Sequence, residues 1–293
     1  MRTTVEAPHV ESRRLSHSQE VSAGERFEFG ENWSAFLRLV DEDRITTAVS
    51  SLTTMLSVDE LRGRRFIDVG SGSGLFSLAA HRLGAEVRSF DYDPASVACT
   101  AELRRRFAAS GSAWAVEPGS VLDTAYLASL GCYDVVYSWG VLHHTGAMWT
   151  ACENVTSLVA PGGLLFIALY NDQGARSRRW RRIKQLYCSG PVGRVFVLGS
   201  YVPYVVARSF LADTVWGRNP VRRYREYRQG RGMSMLHDWV DWLGGFPFEV
   251  AKPEEVFEFY RDRGFELVRL QTCGGSLGCN EYVFRRPAPA TGE

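Results

Sequence analysis

The sequence has no cysteine pair at C-x-x-C spacing, no histidines at zinc-finger spacing beside its six cysteines, and no internal repeat. No metal is therefore expected. The first residues, Met1 to His9, lack the apolar core of a secretory signal, and the cysteines (Cys99, Cys132, Cys152, Cys188, Cys273 and Cys279) are scattered. Together these point to a reducing, cytoplasmic setting. The longest apolar run, Val195 to Ala207, falls short of the roughly 20 residues that cross a bilayer, so no membrane span is expected, although peripheral contact stays open.

What is present is an ordinary globular composition. With 293 residues, 45% hydrophobic and 23% charged, the chain is long enough to bury a core, and collagen, coiled-coil and disordered classes are excluded. The net charge of +1 conceals an asymmetry: residues Arg176 to Arg231 carry fourteen Lys and Arg against Asp213 and Glu226. Such a region either faces an anionic partner or is solvated apart from the core.

From Phe66 the chain alternates short apolar strands with helices. Phe66 to Val69 is a buried strand, and Leu75 to Leu83 has helical spacing that stops at Gly84. Glu86 to Phe90 is a second strand ending at Asp91, after which Asp93-Pro94 reads as an N-cap with proline in the first turn. Trp114 to Val116, Asp134 to Ser138 and Leu164 to Tyr170 add further strands, the last after a Gly162-Gly163 turn. A helix starting at Pro253 and two strands, Glu266 to Leu270 and Glu281 to Arg285, complete the chain. The expected fold class is α/β: a doubly wound, mostly parallel seven-stranded sheet with an antiparallel C-terminal hairpin and a largely helical insertion after strand five.

The expected organisation is a flexible leader over 1–25, an N-terminal helical region over 26–60, a cofactor-binding core over 61–174, a basic and apolar insertion over 175–250, and a closing helix and hairpin over 251–293. An insertion at that point in the sheet is placed to act as a lid over a pocket.

Gly70, Gly72 and Gly74 alternate between a strand and a helix, so the backbone turns tightly and offers unshielded amides to a ligand. The dinucleotide fingerprint would need glycine where Leu75 stands, which weakens a nicotinamide reading. Asp91 closes the second strand, where a carboxylate accepts both ribose hydroxyls of either cofactor type. Asp68 is an acid inside a buried strand, and an ammonium or sulfonium ligand would suit it.

Three blocks carry a family resemblance: Phe66-Ile-Asp-Val-Gly-Ser-Gly-Ser-Gly74, Phe90-Asp-Tyr-Asp-Pro94 and Tyr133-Asp-Val-Val-Tyr-Ser-Trp-Gly-Val-Leu-His-His144. With the Pro161-Gly-Gly163 turn they resemble the class I, Rossmann-like S-adenosylmethionine-dependent methyltransferases over about residues 60 to 170 and the final hairpin. A looser likeness, through Val141-Leu-His-His-Thr-Gly146 and Leu169-Tyr-Asn-Asp-Gln-Gly174, is to the ubiquinone-biosynthesis O-methyltransferases. The resemblance implies S-adenosylmethionine as cofactor, held by Asp68, Gly70, Ser71, Gly72 and Gly74, by Asp91 on the ribose and Tyr92 beside the adenine, and by Ser120, Val121, Ser138 and Trp139. Asp123 is an alternative to Ser120 at the adenine amine.

Ligands of doubly wound sheets bind outside the carboxyl ends of the strands, which makes His143, His144, Tyr170 and Asn171, with Trp33, the acceptor-side candidates. Transfer to oxygen uses a base to remove the hydroxyl proton, and His144 is the first choice, with His237 and Asp241 as others. A histidine pair at a strand-to-helix junction equally serves to cap the helix or bond a carbonyl. The partner expected is a small-molecule acceptor, with an anionic one suited to the arginines around Arg176 to Lys184. Nucleic acid is not expected, since no RNA-binding module accompanies the basic residues. A nicotinamide oxidoreductase, a methyltransferase acting on RNA or a carrier-bound substrate, and a non-catalytic adenosylmethionine-binding protein are the competing readings.

Overall fold

The computed structural model describes residues 16–30, 33, 36–109, 111–217 and 242–289. The strands are β1 (Arg65–Val69), β2 (Glu86–Asp91), β3 (Trp114–Pro118), β4 (Tyr133–Trp139), β5 (Val159–Tyr170), β6 (Glu266–Gln271) and β7 (Cys279–Arg285). They form one sheet in the order β3-β2-β1-β4-β5-β7-β6. β1 to β5 run parallel, and β7 pairs antiparallel with both β5 and β6. This is the expected mixed seven-stranded fold. The order reverses between β1 and β4, opening a crevice at their carboxyl ends.

The described helices are α1 (His17–Ser22), α2 (Glu42–Leu56), α3 (Leu75–Arg82), α4 (Pro94–Phe107), α5 (Thr124–Leu130), α6 (Met148–Thr156), α7 (Ala175–Cys188), α8 (Pro191–Val215) and α9 (Pro253–Arg261). Side chains alternate across the strands. Ile67, Val136 and Ile167 pack toward Val155 of α6 and Tyr260 of α9, whereas Phe66, Val135 and Phe166 pack toward α2, α3 and α4. Both faces of the central strands are covered, which is why they read as unbroken apolar runs.

Local chemistry fixes the helix starts. The Asp93 carboxylate accepts from the Ala95 N–H at 2.8 Å with Pro94 in the first turn, and Asp123 caps α5 by accepting from Tyr126 N–H at 3.0 Å. Each cap satisfies an orphan donor of the first turn.

Three segments differ from the sequence reading. Gly162 and Gly163 lie inside β5, which starts at Val159: Gly162 keeps the left-handed backbone of a turn (φ 78°), and a Cβ on Gly163 would stand 3.1 Å from the Tyr133 and Asp134 carbonyl oxygens, so the turn is an irregularity within the strand where it crosses β4 closely. Residues 17–22, expected within a flexible leader, form a helix because Ser16 and Gln19 make a reciprocal capping box. The apolar run at Val195 continues past Arg208 and Ser209 to Phe210 and Leu211, so α8 is 25 residues long. Its best window has mean hydropathy 1.5 and is 6% buried, long and apolar enough to cross a membrane. The inner stripe of α8 joins Phe27, Tyr187 and Leu243 in a third apolar cluster beside the sheet.

Candidate active site

At Val69 the chain leaves β1 and turns through three glycines with left-handed backbone, Gly70 (φ 83°), Gly72 (φ 52°) and Gly74 (φ 79°). Space as well as conformation excludes a side chain at two of them. A Cβ on Gly70 would meet Val141 at 2.4 Å, and one on Gly74 would meet the Thr100 Cα at 3.0 Å. The Gly70 and Ser71 N–H groups donate to the Phe90 carbonyl at 2.9 and 3.1 Å, tying the turn to the end of β2. There Asp91 accepts from Gly72 N–H and from Asp93 N–H, both at 2.9 Å. One carboxylate thus locks two loops together.

The turn opens onto a cavity of about 1090 Å³ over the carboxyl ends of β1, β2 and β4. Asp68 and Asp91 both line it. Burial pushes the Asp68 carboxyl up to about 7, opposed by the Ser77 hydroxyl it accepts from and reinforced by the charge of Asp91. Burial likewise pushes Asp91 up to about 6, against the N–H donors of Asp93 and Gly72. Two carboxyls that resist ionisation invite a positively charged ligand, which would stabilise their anionic forms. The hydroxyl of Tyr137, whose ring also lines the cavity, is buried with no hydrogen-bond partner among the described residues.

At the other end β4 runs into a short 3-10 turn, Leu142–His144. His144 Nδ1 lies 2.6 Å from the Pro247 carbonyl, so Nδ1 carries the proton and Nε2 holds the lone pair. Burial pushes the His144 imidazole down to about 3 despite that hydrogen bond, helped by the charges of Lys184 and Arg26. His143 is fully buried, with neither ring nitrogen hydrogen-bonded among the described residues, and its ring lies 4.1 Å from that of Tyr170 and 4.4 Å from that of His144. The carbonyl-bonding role weighed for the pair is thus present at His144.

Of the residues singled out in the sequence, Asp68, Gly70, Ser71, Gly72, Asp91, Tyr92, Ser120, Val121, Trp139, His144, Tyr170 and Trp33 line this cavity. Gly74, Ser138, His143 and Asn171 do not. Gly74 instead opens α3 against Thr100. Ser138 is buried with its hydroxyl donating to the Val69 carbonyl at 2.9 Å, stitching β4 to β1. The Asn171 amide donates to the Ser276 carbonyl and accepts from Asn280, each at 3.1 Å, which fastens the end of β5 to the connection between β6 and β7. Asp123 lines the cavity while capping α5. His237 and Asp241 lie outside the described residues.

Among the described residues, the cover over the cavity comes from the N-terminal segment. None of the described residues of 175–217 or 242–250 lines it, whereas His17, Glu20, Arg26, Phe27 and Phe29 do. Of the insertion expected to form a lid, the described helices α7 and α8 spend their inner faces on each other and on Phe27 and Leu243, and residues 218–241 lie outside the described residues. Arg26 organises the cover. Its guanidinium pairs with Glu20 at 2.5 Å, donates to the His144 carbonyl at 2.9 Å and stands 5.0 Å from the centre of the Tyr92 ring. Gly30 N–H donates to Asp93 at 2.8 Å, and the His17 ring meets Tyr92 edge-on at 5.4 Å. The visible signal in the sequence was Ser16-x-x-Gln19, a capping-box pattern that announces a helix where the leader was expected.

Comparison with known proteins bears on this geometry. A family model described as "Methyltransferase domain" matches residues 40–199. Among curated proteins, the ubiquinone biosynthesis O-methyltransferase of Sinorhizobium fredii is 30% identical over 115 residues, 39% of this chain and 44% of that protein. Its counterpart in Xanthomonas euvesicatoria is 35% identical over 112 residues, 38% of this chain and 45% of that protein. The chain thus spans less than half the length of these relatives. Among solved structures, an O-methyltransferase family protein from Burkholderia thailandensis superposes with a TM-score of 0.53 at 13% identity, covering 88% of this chain and 59% of that one. The [4+2]-cyclase SpnF superposes at 0.51 with 12% identity, covering 82% and 80%. At such identities the likeness is one of fold alone, and the cyclase shows that the fold serves other chemistry as well.

Proposed function

The chain belongs to the methyltransferase-domain family, and from that premise we propose that it transfers the methyl group of S-adenosylmethionine to a hydroxyl oxygen of a small organic acceptor. The observation that carries this is the single cavity joining the Gly70–Gly74 turn, with its two carboxyls, to His144 and Tyr170. Bound S-adenosylmethionine supplies an electrophilic methyl on a sulfonium, open to in-line displacement.

The residues present fit that cofactor. Gly70 and Gly72 line the cavity with no side chain of their own, beside Val141 and Trp33. Asp91 is placed to accept from ribose hydroxyls, and Asp68 to meet the ammonium of the methionine part. Tyr92, Ser120 and Val121 border the space for a nucleobase. The Tyr137 hydroxyl, on the residue paired with Asp68 across β1 and β4, offers a donor beside that carboxyl.

His144 serves the acceptor. It is neutral across the physiological range, so Nε2 is always available to accept a hydrogen bond and fix an acceptor hydroxyl. Its low basicity suffices, because an oxygen that has begun to bond a methyl group becomes strongly acidic and gives up its proton readily. Tyr170 and Trp33 shape the same space. The ubiquinone biosynthesis O-methyltransferases support oxygen as the methylated atom, and the six free cysteines support a reducing, cytoplasmic setting.

Calorimetry with adenosylhomocysteine and NAD, followed by transfer of isotope-labelled methyl into fractionated metabolites, tests the reading. We expect adenosylhomocysteine to bind and label to enter a base-stable methyl ether product; binding of NAD alone would reject it. His144→Ala should lower kcat by about a hundredfold, and unchanged turnover would remove His144 from the reaction.

A further inference from the structure

α7 is rich in arginine, yet the basic residue on its inner face is a lysine. Ser177, Trp180, Lys184 and Tyr187 recur at intervals of three and four, which places them on one side of the helix. Lys184 alone among the Lys and Arg of α7 is buried, at 0% exposure. Desolvating an ammonium is costly, so a fully buried lysine needs partners that replace water. Here the ammonium donates to the Trp242 carbonyl and stands 4.3 Å from the centre of the Trp242 ring and 5.0 Å from that of Phe248.

Those two rings lead to the acceptor end. Phe248 lies 5.2 Å and Trp242 6.1 Å from the ring of Tyr170, which in turn lies 4.1 Å from His143 and 5.5 Å from His144. The backbone between them is fastened repeatedly. The Phe246 carbonyl accepts from Phe27 N–H at 2.9 Å, the Pro247 carbonyl from His144 at 2.6 Å and the Phe248 carbonyl from the Arg181 side chain at 2.9 Å. Glu249 N–H donates to the His143 carbonyl at 3.0 Å. Residues 242–249 thus form a strap between α7 and the turn that carries His144.

We propose that Lys184 is a positioning residue for the acceptor end: by clamping Trp242 and Phe248 it holds the strap so that the Pro247 carbonyl accepts from His144 Nδ1 and the lone pair stays on Nε2. Lys184 does not line the cavity, so it acts through His144 and rests on the role given to that ring above. An apolar side chain among Phe27, Trp180 and Tyr187 would pin α7 as well. The ammonium adds a positive charge near His144 that opposes a second one on the imidazole.

Lys184→Met in the full chain keeps the bulk of the side chain and removes its charge and donors. Long-range nitrogen-15 spectra of the imidazoles should show His144 as one Nδ1–H tautomer in the parent. In the variant they should show a mixture of tautomers that titrates back toward the ordinary value of 6.5. On the acceptor that labelling identifies, kcat should fall by about tenfold, with adenosylhomocysteine affinity unchanged. An acid limb should also enter the kcat profile, because a protonated Nε2 accepts no hydrogen bond. Trp242→Leu removes one ring beneath the ammonium and keeps its carbonyl; it should give a milder form of the same changes and serves if Lys184→Met does not fold. The proposal is overturned if the folded variants keep the parent's His144 spectrum, whether or not activity falls. The spectra need neither cofactor nor acceptor, so a mixed tautomer with unchanged kcat would uphold the clamp and remove His144 from the reaction instead.

Discussion

At one end of the cavity two carboxyls, Asp68 and Asp91, are held where the anion is disfavoured; at the other, His144 is held where the cation is disfavoured. Burial causes both, yet the consequences differ. A cationic ligand relieves the strain on the carboxyls, so the first end gains affinity from its own discomfort. The second end stays neutral and works through the direction of one lone pair. The first end therefore recognises charge, and the second positions an uncharged group.

The comparison breaks most directly at Asp91. It accepts from Gly72 and Asp93 and is assigned the ribose hydroxyls, so Asp91→Ala removes a bridge between two loops together with the ligand contact. Charged hydrogen bonds of this kind contribute about 3 kcal/mol, so adenosylhomocysteine affinity should fall by roughly a hundredfold. Calorimetry measures this, and an unchanged Kd would mean that the carboxylate does not meet the ligand. The same change should leave acceptor binding to its own end almost unaltered.

Titration sharpens the contrast. In the free protein Asp68 and Asp91 take up protons near pH 7 and 6, whereas the cationic cofactor favours both anions. Binding must then release protons at acid pH, and affinity for S-adenosylmethionine should rise by about tenfold between pH 5.5 and 7.5. Asp68→Asn should flatten the upper part of that rise. His144, down at about 3, should add no acidic limb to the kcat profile over the same range. Calorimetry in two buffers of different ionisation enthalpy reads the released protons, and a pH-independent affinity would count against a cation beside these carboxyls.

The two ends also differ in how far they were legible. Residues 66–75 and 90–94 form the first from contiguous sequence, where left-handed glycines, a buried acid and an Asp-Pro cap each announce a local backbone requirement. The second joins residues near 20, 26, 144, 170 and 247, and only tertiary packing brings them together. Ser138 and Asn171 sit in motif positions but point their polar groups into strand-to-strand bonds, which no spacing rule distinguishes from ligand contacts. The insertion's place after β5 suggests a lid, and its described helices α7 and α8 do not line the cavity. Its helix is longer than the apolar run suggests because Arg208 interrupts the run, whereas a helix turns that residue to the side away from Val206 and Phe210.

The smallest expected effect bears on what joins the ends. Arg26 pairs with Glu20, covers Tyr92 at the cofactor end and donates to the carbonyl of His144 at the acceptor end. Arg26→Ala removes the clamp without touching the glycine turn or the bond between His144 and Pro247. If the N-terminal segment closes the cavity over both ligands, KM for the acceptor should rise about fivefold, as for the loss of one hydrogen bond of about 1 kcal/mol. Cofactor affinity should fall by less, since Tyr92 keeps its contact with His17. Steady-state kinetics and calorimetry on one preparation separate the two values. A larger loss in cofactor affinity than in acceptor KM would assign the cover to the cofactor end alone, and the cavity would then be two sites sharing a wall rather than one site with two chemistries.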